Sequence, residues 1–515
     1  MAELALGVAG LVIGIPGLLE VIVSLGDAVL RRIRHCKDDW KTLIDLVVTV
    51  NSSQTQEILM AVFDESNEAP DELKSELVQM FQALRNILER LVLLLPSAVD
   101  GKVKISASAR KKVEAEVTKL EEWSDRFFKR ALVFFLFGRR ALPTSKPTND
   151  SETESYESLA VRKVERLRDA VEQSLENTRG GTRQLLLNRP DEPDTRESIP
   201  HSSLVLSTPA GADAAHARHI IEYRTYSDDA REHEVKDLRK VVRDIAGILR
   251  HADPRLMGIL HCDGFQYDQL QNRFELHFPF PQGLTNPRTL SDLLSDPSNP
   301  QVKHPLNQRI SLAKSIVTAV FVLHSAGFVH KQIRPDNVVV FERKDRPEAQ
   351  RWPYAIGTPF LVGFDNVRKV DAASLMLPVE DWEKSIYLSP ERHRLQRGDE
   401  FRMQHDIFSI GVVLLEIAFW ASFRDRRSEL GGVVWKDART LTLRAPEELK
   451  KKYIGLAART VPRLMGQKYA DAVVACLTGL ESGDGSATDL EDADGIVVGT
   501  RYVMAIVKKL EEISM

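Results

Sequence analysis

Residues 323–340 read Leu323-His324-Ser325-Ala326-Gly327-Phe328-Val329-His330-Lys331-Gln332-Ile333-Arg334-Pro335-Asp336-Asn337-Val338-Val339-Val340. The polar residues His330, Gln332, Arg334 and Asn337 stand between two apolar runs. Gln332 carries an amide, which has no proton affinity at neutral pH and cannot act as a general base. Three further stretches follow it along the chain. They are Phe360-Leu361-Val362-Gly363-Phe364-Asp365, Ser389-Pro390-Glu391, and the largely apolar His405-Asp406-Ile407-Phe408-Ser409-Ile410-Gly411-Val412-Val413-Leu414-Leu415-Glu416.

In order, spacing and hydrophobic context, these stretches resemble the carboxy-terminal lobe of protein kinases, whose catalytic loop reads H-R-D-x-x-x-x-N. The resemblance puts His330 at the His place and Asn337 at the metal-binding Asn place. Gln332 then replaces the Asp that accepts the substrate hydroxyl proton. A kinase follows with Asp-Phe-Gly, whose Asp holds magnesium. Aligned on Phe364, that Asp has become Gly363 and the Gly has become Asp365. A slipped strand would bring Asp365 to the metal, so Asn337 and Asp365 are the candidate Mg²⁺ ligands. An Asn alone is a poor Mg²⁺ site, because carboxylates and phosphates normally hold this ion. Ser389-Pro390-Glu391 stands where kinases carry Ala-Pro-Glu. Asp406 stands where the family's Asp accepts hydrogen bonds from the catalytic-loop backbone, so Glu391 and Asp406 are assigned to the fold. The resemblance thus assigns no catalytic residue, only the degenerate positions His330, Gln332, Arg334 and Asn337.

The preceding lobe departs further from the family. Only Gly211 remains in the stretch Ser207–Ala215 where a glycine-rich loop is expected, and one glycine does not cradle phosphates. In His219-Ile220-Ile221-Glu222-Tyr223-Arg224, Arg224 takes the place of the Val-Ala-Ile-Lys lysine. Arg keeps the charge without the compact geometry of an ammonium. Val242 aligns with the lysine's glutamate partner, with Glu232 or Glu234 as alternatives on a shifted helix. Arg224, Asn337 and Asp365 are therefore the candidate cofactor contacts. ATP and Mg²⁺ are carried as candidates without assignment, and the balance leans away from an enzyme.

The chain has 515 residues, 43% hydrophobic and 28% charged, with a formal net charge of −4. That near balance argues against a nucleic-acid partner, which favours a strongly basic domain. Cys36, Cys262 and Cys476 are far apart and form neither a metal-ligand pattern nor a disulfide framework. Free thiols in a reducing, cytoplasmic compartment are expected.

Residues 1–140 differ from the rest. Leu73, Leu77, Met80, Leu84, Ile87, Leu91 and Leu94 recur at spacings of four and three, one apolar stripe on a helix. Val113, Val117, Leu120, Phe127, Ala131 and Phe134 form a second stripe. A third helical stretch runs from Trp40 to Val50 and resumes near Glu57 to Phe63. Several amphipathic helices with short connections predict an antiparallel bundle. The uncharged run Leu4–Leu19 carries Gly7, Gly10, Gly14 and Gly17 on one helical face, with Leu11 and Ile13 among its apolar residues. Sixteen helical residues span about 24 Å, short of the roughly 30 Å hydrocarbon core. A buried bundle helix is the expectation at rest, with conditional membrane insertion as the alternative.

Residues Gly7–Glu20 and the bundle that follows resemble the HeLo-type domains of fungal cell-death proteins. That resemblance implies membrane-disrupting activity once the segment is exposed. Joined to a kinase-like domain, the layout is similar to that of the mixed lineage kinase domain-like protein, the executioner of necroptosis. The expected architecture is multi-domain, an all-α amino-terminal bundle (1–140) and an α+β bilobal kinase-like domain (204–515). Between them, a linker (141–203) carries a brace-like helix with Val161, Val164, Leu167, Val171 and Leu175 on one face.

The leading functional expectation is a cell-death or signalling effector in which an impaired kinase-like domain controls a membrane-active bundle. Anionic membrane lipids, self-association on activation and an unidentified upstream signalling protein are its expected partners, with recruitment from cytoplasm to membrane. The alternatives are a divergent serine/threonine kinase with a regulatory helical domain, and a scaffold without membrane activity.

Overall fold

The computed structural model covers the chain and describes residues 2–38, 40–51, 71–97, 103–133, 164, 166–170, 185–187, 194–209, 218–296, 304–364, 368–369, 382–394, 401–426, 428, 430–437, 442–480 and 496–513. Residues 2–16 are described by backbone alone. Two units emerge: Met1–Lys163 with Asp489–Thr500, and Val164–Thr488 with Arg501–Met515.

The first unit contains the expected helices. They are α1 (Ala2–Ile33), α2 (Lys41–Val50), α3 (Asp71–Leu94) and α4 (Ala107–Leu132). α1 packs against α2 and α3, and α4 closes the ring by packing against the same two helices. The stripe read along α3 faces inward: Leu73, Leu77, Met80, Leu84, Ile87 and Leu91 are buried, and Leu94 is half-buried. α4 meets it with Val113, Leu120 and Phe127, and adds Trp123. Phe81 stands edge-on to Trp123 and Phe127, at 5.3 Å and 5.5 Å between centroids, while Trp123 and Phe127 stack at 5.2 Å. Such edge-to-face and stacked pairs add stabilisation beyond area burial. The indole Nε1 of Trp123 donates to Met80 O at 2.7 Å, so the ring buries no unsatisfied donor. Arg130 is fully buried and pairs with Glu76 at 3.0 Å. Ser106 starts α4, its Oγ accepting from Ala109 N at 3.3 Å. Phe134 and the stretch 57–63 lie outside the described residues.

The second unit opens with a five-stranded antiparallel sheet in the order β1–β2–β3–β5–β4. Its strands are β1 (Thr195–Ser198), β2 (Leu204–Thr208), β3 (His219–Thr225), β4 (Gly264–Asp268) and β5 (Arg273–Pro279). α5 (Glu232–Leu249) packs on β4 and β5. One face of the sheet is apolar, with Ile220, Phe265, Phe274, Leu276 and Phe278 buried. The rest of the unit is mainly helical. It is built around α6 (Leu306–Ser325), the three-stranded sheet β6–β7–β8 (Leu284–Thr289, Val338–Arg343, Thr358–Leu361) and α7 (Met403–Phe419), with α8 (Pro446–Arg459) and α9 (Gln467–Leu477) against α7. Every residue of α7 from His405 to Ala418 is buried, as expected of a helix apolar on all sides. The result is a sheet-rich lobe and a helical lobe, the α+β arrangement read from the sequence.

The stretch read as a linker contributes to this second unit. Residues 166–170 are helical with Val164 and Leu167 buried, residues 185–187 meet β4, and β1 starts at Thr195 rather than beyond residue 203. The three cysteines are free and buried.

Candidate functional site

The degenerate loop between Val329 and β7 hangs on one carboxylate. Asp406, fully buried on α7, accepts from His330 N at 2.7 Å and Lys331 N at 2.8 Å, and His324 Nε2 lies 3.2 Å from it. Lys331 takes a left-handed conformation, φ 69°, which turns the chain between these two amides. His330 Nε2 lies 2.9 Å from Val362 O, and a carbonyl only accepts, so Nε2 carries the proton. Nδ1 is then the acceptor, and it receives Gln332 N at 3.3 Å. His330 and Asp406 thus fix the backbone of the loop.

The remaining polar side chains of the loop bond to one another and to its backbone. Gln332 Oε1 accepts from Arg334 Nη1 at 2.6 Å, and Gln332 O accepts from Asn337 Nδ2 at 2.8 Å. Asn337 O accepts from Val362 N at 2.9 Å. Asp336 is held by Arg424 through two bonds of 2.7 and 2.5 Å and lies 3.0 Å from Arg334 Nε. Gly363 has φ +81°, and a Cβ there would stand 2.3 Å from Asn337 Cγ. Asn337 therefore fills the space of a side chain at the position of the family's metal-binding Asp.

Strand β3 presents a residue that the sequence reading passed over. Glu222 is buried, and its carboxylate accepts from Gly363 N at 3.3 Å. Arg224, on the same face of β3 two residues further on, pairs with Glu222. The group reaching the Gly363 backbone is a carboxylate, not the Arg224 guanidinium. A second register was open in the sequence, in which His219-Ile220-Ile221-Glu222 lies on Val-Ala-Ile-Lys and Glu222 rather than Arg224 takes the lysine place. Val242 is buried in α5. Glu234 accepts from Arg231 N at 2.8 Å at the helix start, and Glu232 pairs with Lys236 at 2.8 Å in solvent.

The described residues do not fit Mg²⁺. Asn337 donates its Nδ2 to Gln332 O, which leaves only an amide oxygen for a metal, and Glu222 is already held by Arg224 and Gly363 N–H. An amide oxygen without carboxylates is a poor Mg²⁺ site. Among the described residues no group of three or more His, Cys, Asp or Glu side chains is placed for a metal ion. Asp365 and Gly211 lie outside the described residues.

Glu391 is half-exposed and lies 3.6 Å from Lys450 of α8, while Ser389 Oγ accepts from Arg392 N at 3.3 Å. A second buried acid escaped the sequence reading. Glu416 on α7 accepts from Tyr387 OH at 2.9 Å, Phe423 N at 2.8 Å and Ser422 Oγ at 3.2 Å. Burial pushes its carboxyl up to about 7 despite these donors.

In the first unit, Gly7, Gly10, Leu11, Ile13, Gly14 and Gly17 all lie within α1. Gly17 is exposed, and the side-chain surroundings of the other five lie outside the described residues. Among the described residues one helix, Leu306–Ser325, is long and apolar enough to cross a membrane, and most of it is buried.

Comparisons with known proteins agree with a distant kinase-like region. No family model matches the chain. A probable serine/threonine-protein kinase PknB of Lactococcus lactis is 27% identical over 111 residues, covering 22% of this chain and 15% of that protein. A probable LIM domain-containing serine/threonine-protein kinase of Dictyostelium discoideum is 30% identical over 129 residues, 25% of this chain and 11% of its own. The serine/threonine-protein kinase PknL of Mycobacterium tuberculosis is 26% identical over 129 residues, covering 25% and 27%. The chain thus spans less than a third of the length of these relatives. Among solved structures, the CAK complex of Chaetomium thermophilum bound to ATP-gamma-S matches with a TM-score of 0.35 and 14% identity, over 62% of this chain and 89% of that one. The chain carries a protein kinase-like region, distantly related to serine/threonine kinases, preceded by a helical region.

Proposed function

We propose that this chain is a non-enzymatic signalling effector in which a pseudokinase unit controls a membrane-active, HeLo-like helical bundle in programmed cell death. The observation that carries the first half is the close approach of the Asn337 amide to Gly363. The amide fills the space of the lost metal carboxylate, while Gln332 stands at the place of the base. Loss of a general base alone commonly costs 10²- to 10⁴-fold. Glu222 adds to this, because it pairs with Arg224 and so engages the cation of this strand that would otherwise attract phosphates.

The second half is supported by α1. It is a 32-residue helix whose first half holds the uncharged, glycine-bearing run, and Arg31 and Arg32 lie in its last turn. Apolar burial and attraction to anionic lipid together favour such a helix at a membrane surface. Anionic lipids are the proposed partner, self-association the proposed consequence of activation, and the membrane the proposed destination of a cytoplasmic protein.

The test uses dye-filled anionic liposomes. A fragment of residues 1–140 should release dye, the full chain should release less, and Leu11→Glu with Ile13→Glu should suppress release. Folded, monodisperse fragment that leaves liposomes intact at several lipid compositions would sink the membrane reading, and the scaffold alternative would lead. Radiolabelled phosphate transfer from ATP, abolished by Asn337→Ala or Asp365→Ala, would instead establish the divergent kinase.

A further inference from the structure

We infer that the outer edge of β4 is a strand-accepting surface, and that this chain's own segment Leu185–Leu187 is its resident, releasable occupant. β4 is the last strand in its sheet, so its outer edge carries backbone groups that the sheet itself does not pair. Leu186 bridges Phe265 in parallel. Phe265 N donates to Leu185 O at 2.8 Å, and Leu187 N donates to Phe265 O at 2.9 Å.

The edge is shaped for this contact. Gly264 has φ +153°, and a Cβ there would stand 2.3 Å from Leu185 O. Only glycine allows the segment so close. Leu185 also reaches α5, its Cδ1 lying 3.5 Å from where a Cβ of Gly247 would stand. Leu186 turns outward and is 43% exposed. The chain just upstream lies by the same helix, since Arg166 and Asp169 both act electrostatically on His251, two residues beyond the end of α5.

The connection leading from the helical unit is thus fastened to the kinase-like unit by a three-residue clasp with two backbone bonds. So few bonds can open without unfolding the sheet, as local openings of low-stability segments do. Opening would expose the outer edge of β4, with the backbone groups of Phe265 that Leu185 and Leu187 now pair, to a competing strand of the same sequence.

The test uses the full chain and a fluorescent peptide of residues 181–189, Gly-Thr-Arg-Gln-Leu-Leu-Leu-Asn-Arg. Leu187→Pro removes the donor to Phe265 O without touching β4. Hydrogen exchange at the Phe265 amide should then speed at least about tenfold. The peptide should bind this variant, restore slow exchange, and bind the wild-type chain far less. Adding Gly264→Val should abolish peptide binding, with the melting transition checked by circular dichroism. Equal exchange at Phe265 with and without Leu187→Pro, or peptide binding indifferent to Gly264→Val in a folded protein, would overturn the clasp.

Discussion

Asn337 occupies the space that a side chain on Gly363 would need, its Cγ 2.3 Å from the ideal Cβ. A side chain on Gly363 would force the Asn337 amide to move, and the backbone adds a second obstacle, since φ +81° is a left-handed conformation that favours glycine. Gln332→Asp combined with Gly363→Asp should therefore fail to restore phosphotransfer from radiolabelled ATP. The Gly363→Asp change should lower stability by about 1–3 kcal/mol through backbone strain, before any cost of displacing Asn337. Gln332→Asp alone should cost much less, because a carboxylate still accepts from Arg334. Thermal unfolding of the three variants checks the ranking, and a stable double variant with phosphotransfer would contradict it.

Nucleotide binding is the next expectation. A site saturated a hundredfold above its dissociation constant would stabilise the chain by about 2.7 kcal/mol. With Glu222 and Arg224 paired on β3, a large excess of ATP with or without Mg²⁺ should leave the melting temperature unchanged. Glu222→Ala should destabilise by about 3 kcal/mol, because Arg224 loses its buried carboxylate partner. Glu222→Gln, which still accepts from Gly363 N, should cost less. A melting shift with ATP in the wild-type chain would refute the reading of this strand.

Glu416 gives a pH dependence of defined sign. Its carboxyl is raised from 4.5 to about 7 by burial, so the folded state holds a proton that the unfolded state has released. The stability this contributes is fully present below about pH 4.5 and lost as pH rises through about 7. At 1.36 kcal/mol per pKa unit the whole swing is about 3 kcal/mol. Glu416→Gln keeps an acceptor for Phe423 N–H and cannot ionise. Urea midpoints should therefore fall less for this variant than for the wild type between pH 5 and pH 8. Parallel pH profiles would show that Glu416 does not titrate in this window.

The parts of this molecule that were legible in the sequence are those where pattern and packing coincide. The α3 stripe was readable because spacings of four and three have one helical explanation, and Leu73 to Leu91 do face inward. His330 and Asp406 were readable because a buried loop needs a fixed carboxylate, whatever happens to its chemistry. Glu222 was not legible because Arg224, two residues on, supplies the cation the family pattern asks for, and only the fold brings the Glu222 carboxylate to Gly363 N. The clasp at Leu185–Leu187 had no signal at all. Three leucines in a polar stretch fit an amphipathic helix as well as a strand, and only the conformation of Gly264 shows which edge receives them.

The helical unit offers the last test, joining its core to the proposed activity. Trp123 is buried against Phe81 and Phe127 and spends its only polar atom on Met80 O. Truncation to Ala should cost about 3–5 kcal/mol, as for other buried aromatics. If the bundle restrains α1 at rest, loosening its core should raise the population of released helix, and about 1.4 kcal/mol is worth a factor of ten in that population. Full-length Trp123→Ala should then leak dye from anionic liposomes faster than the wild-type chain. Adding Leu11→Glu should return leakage to the wild-type level without restoring stability, because it opposes insertion rather than release. Leakage that rises with Trp123→Ala but ignores Leu11→Glu would mean that exposed core, not α1, disturbs the membrane, and the role given to the amino-terminal helix would fall.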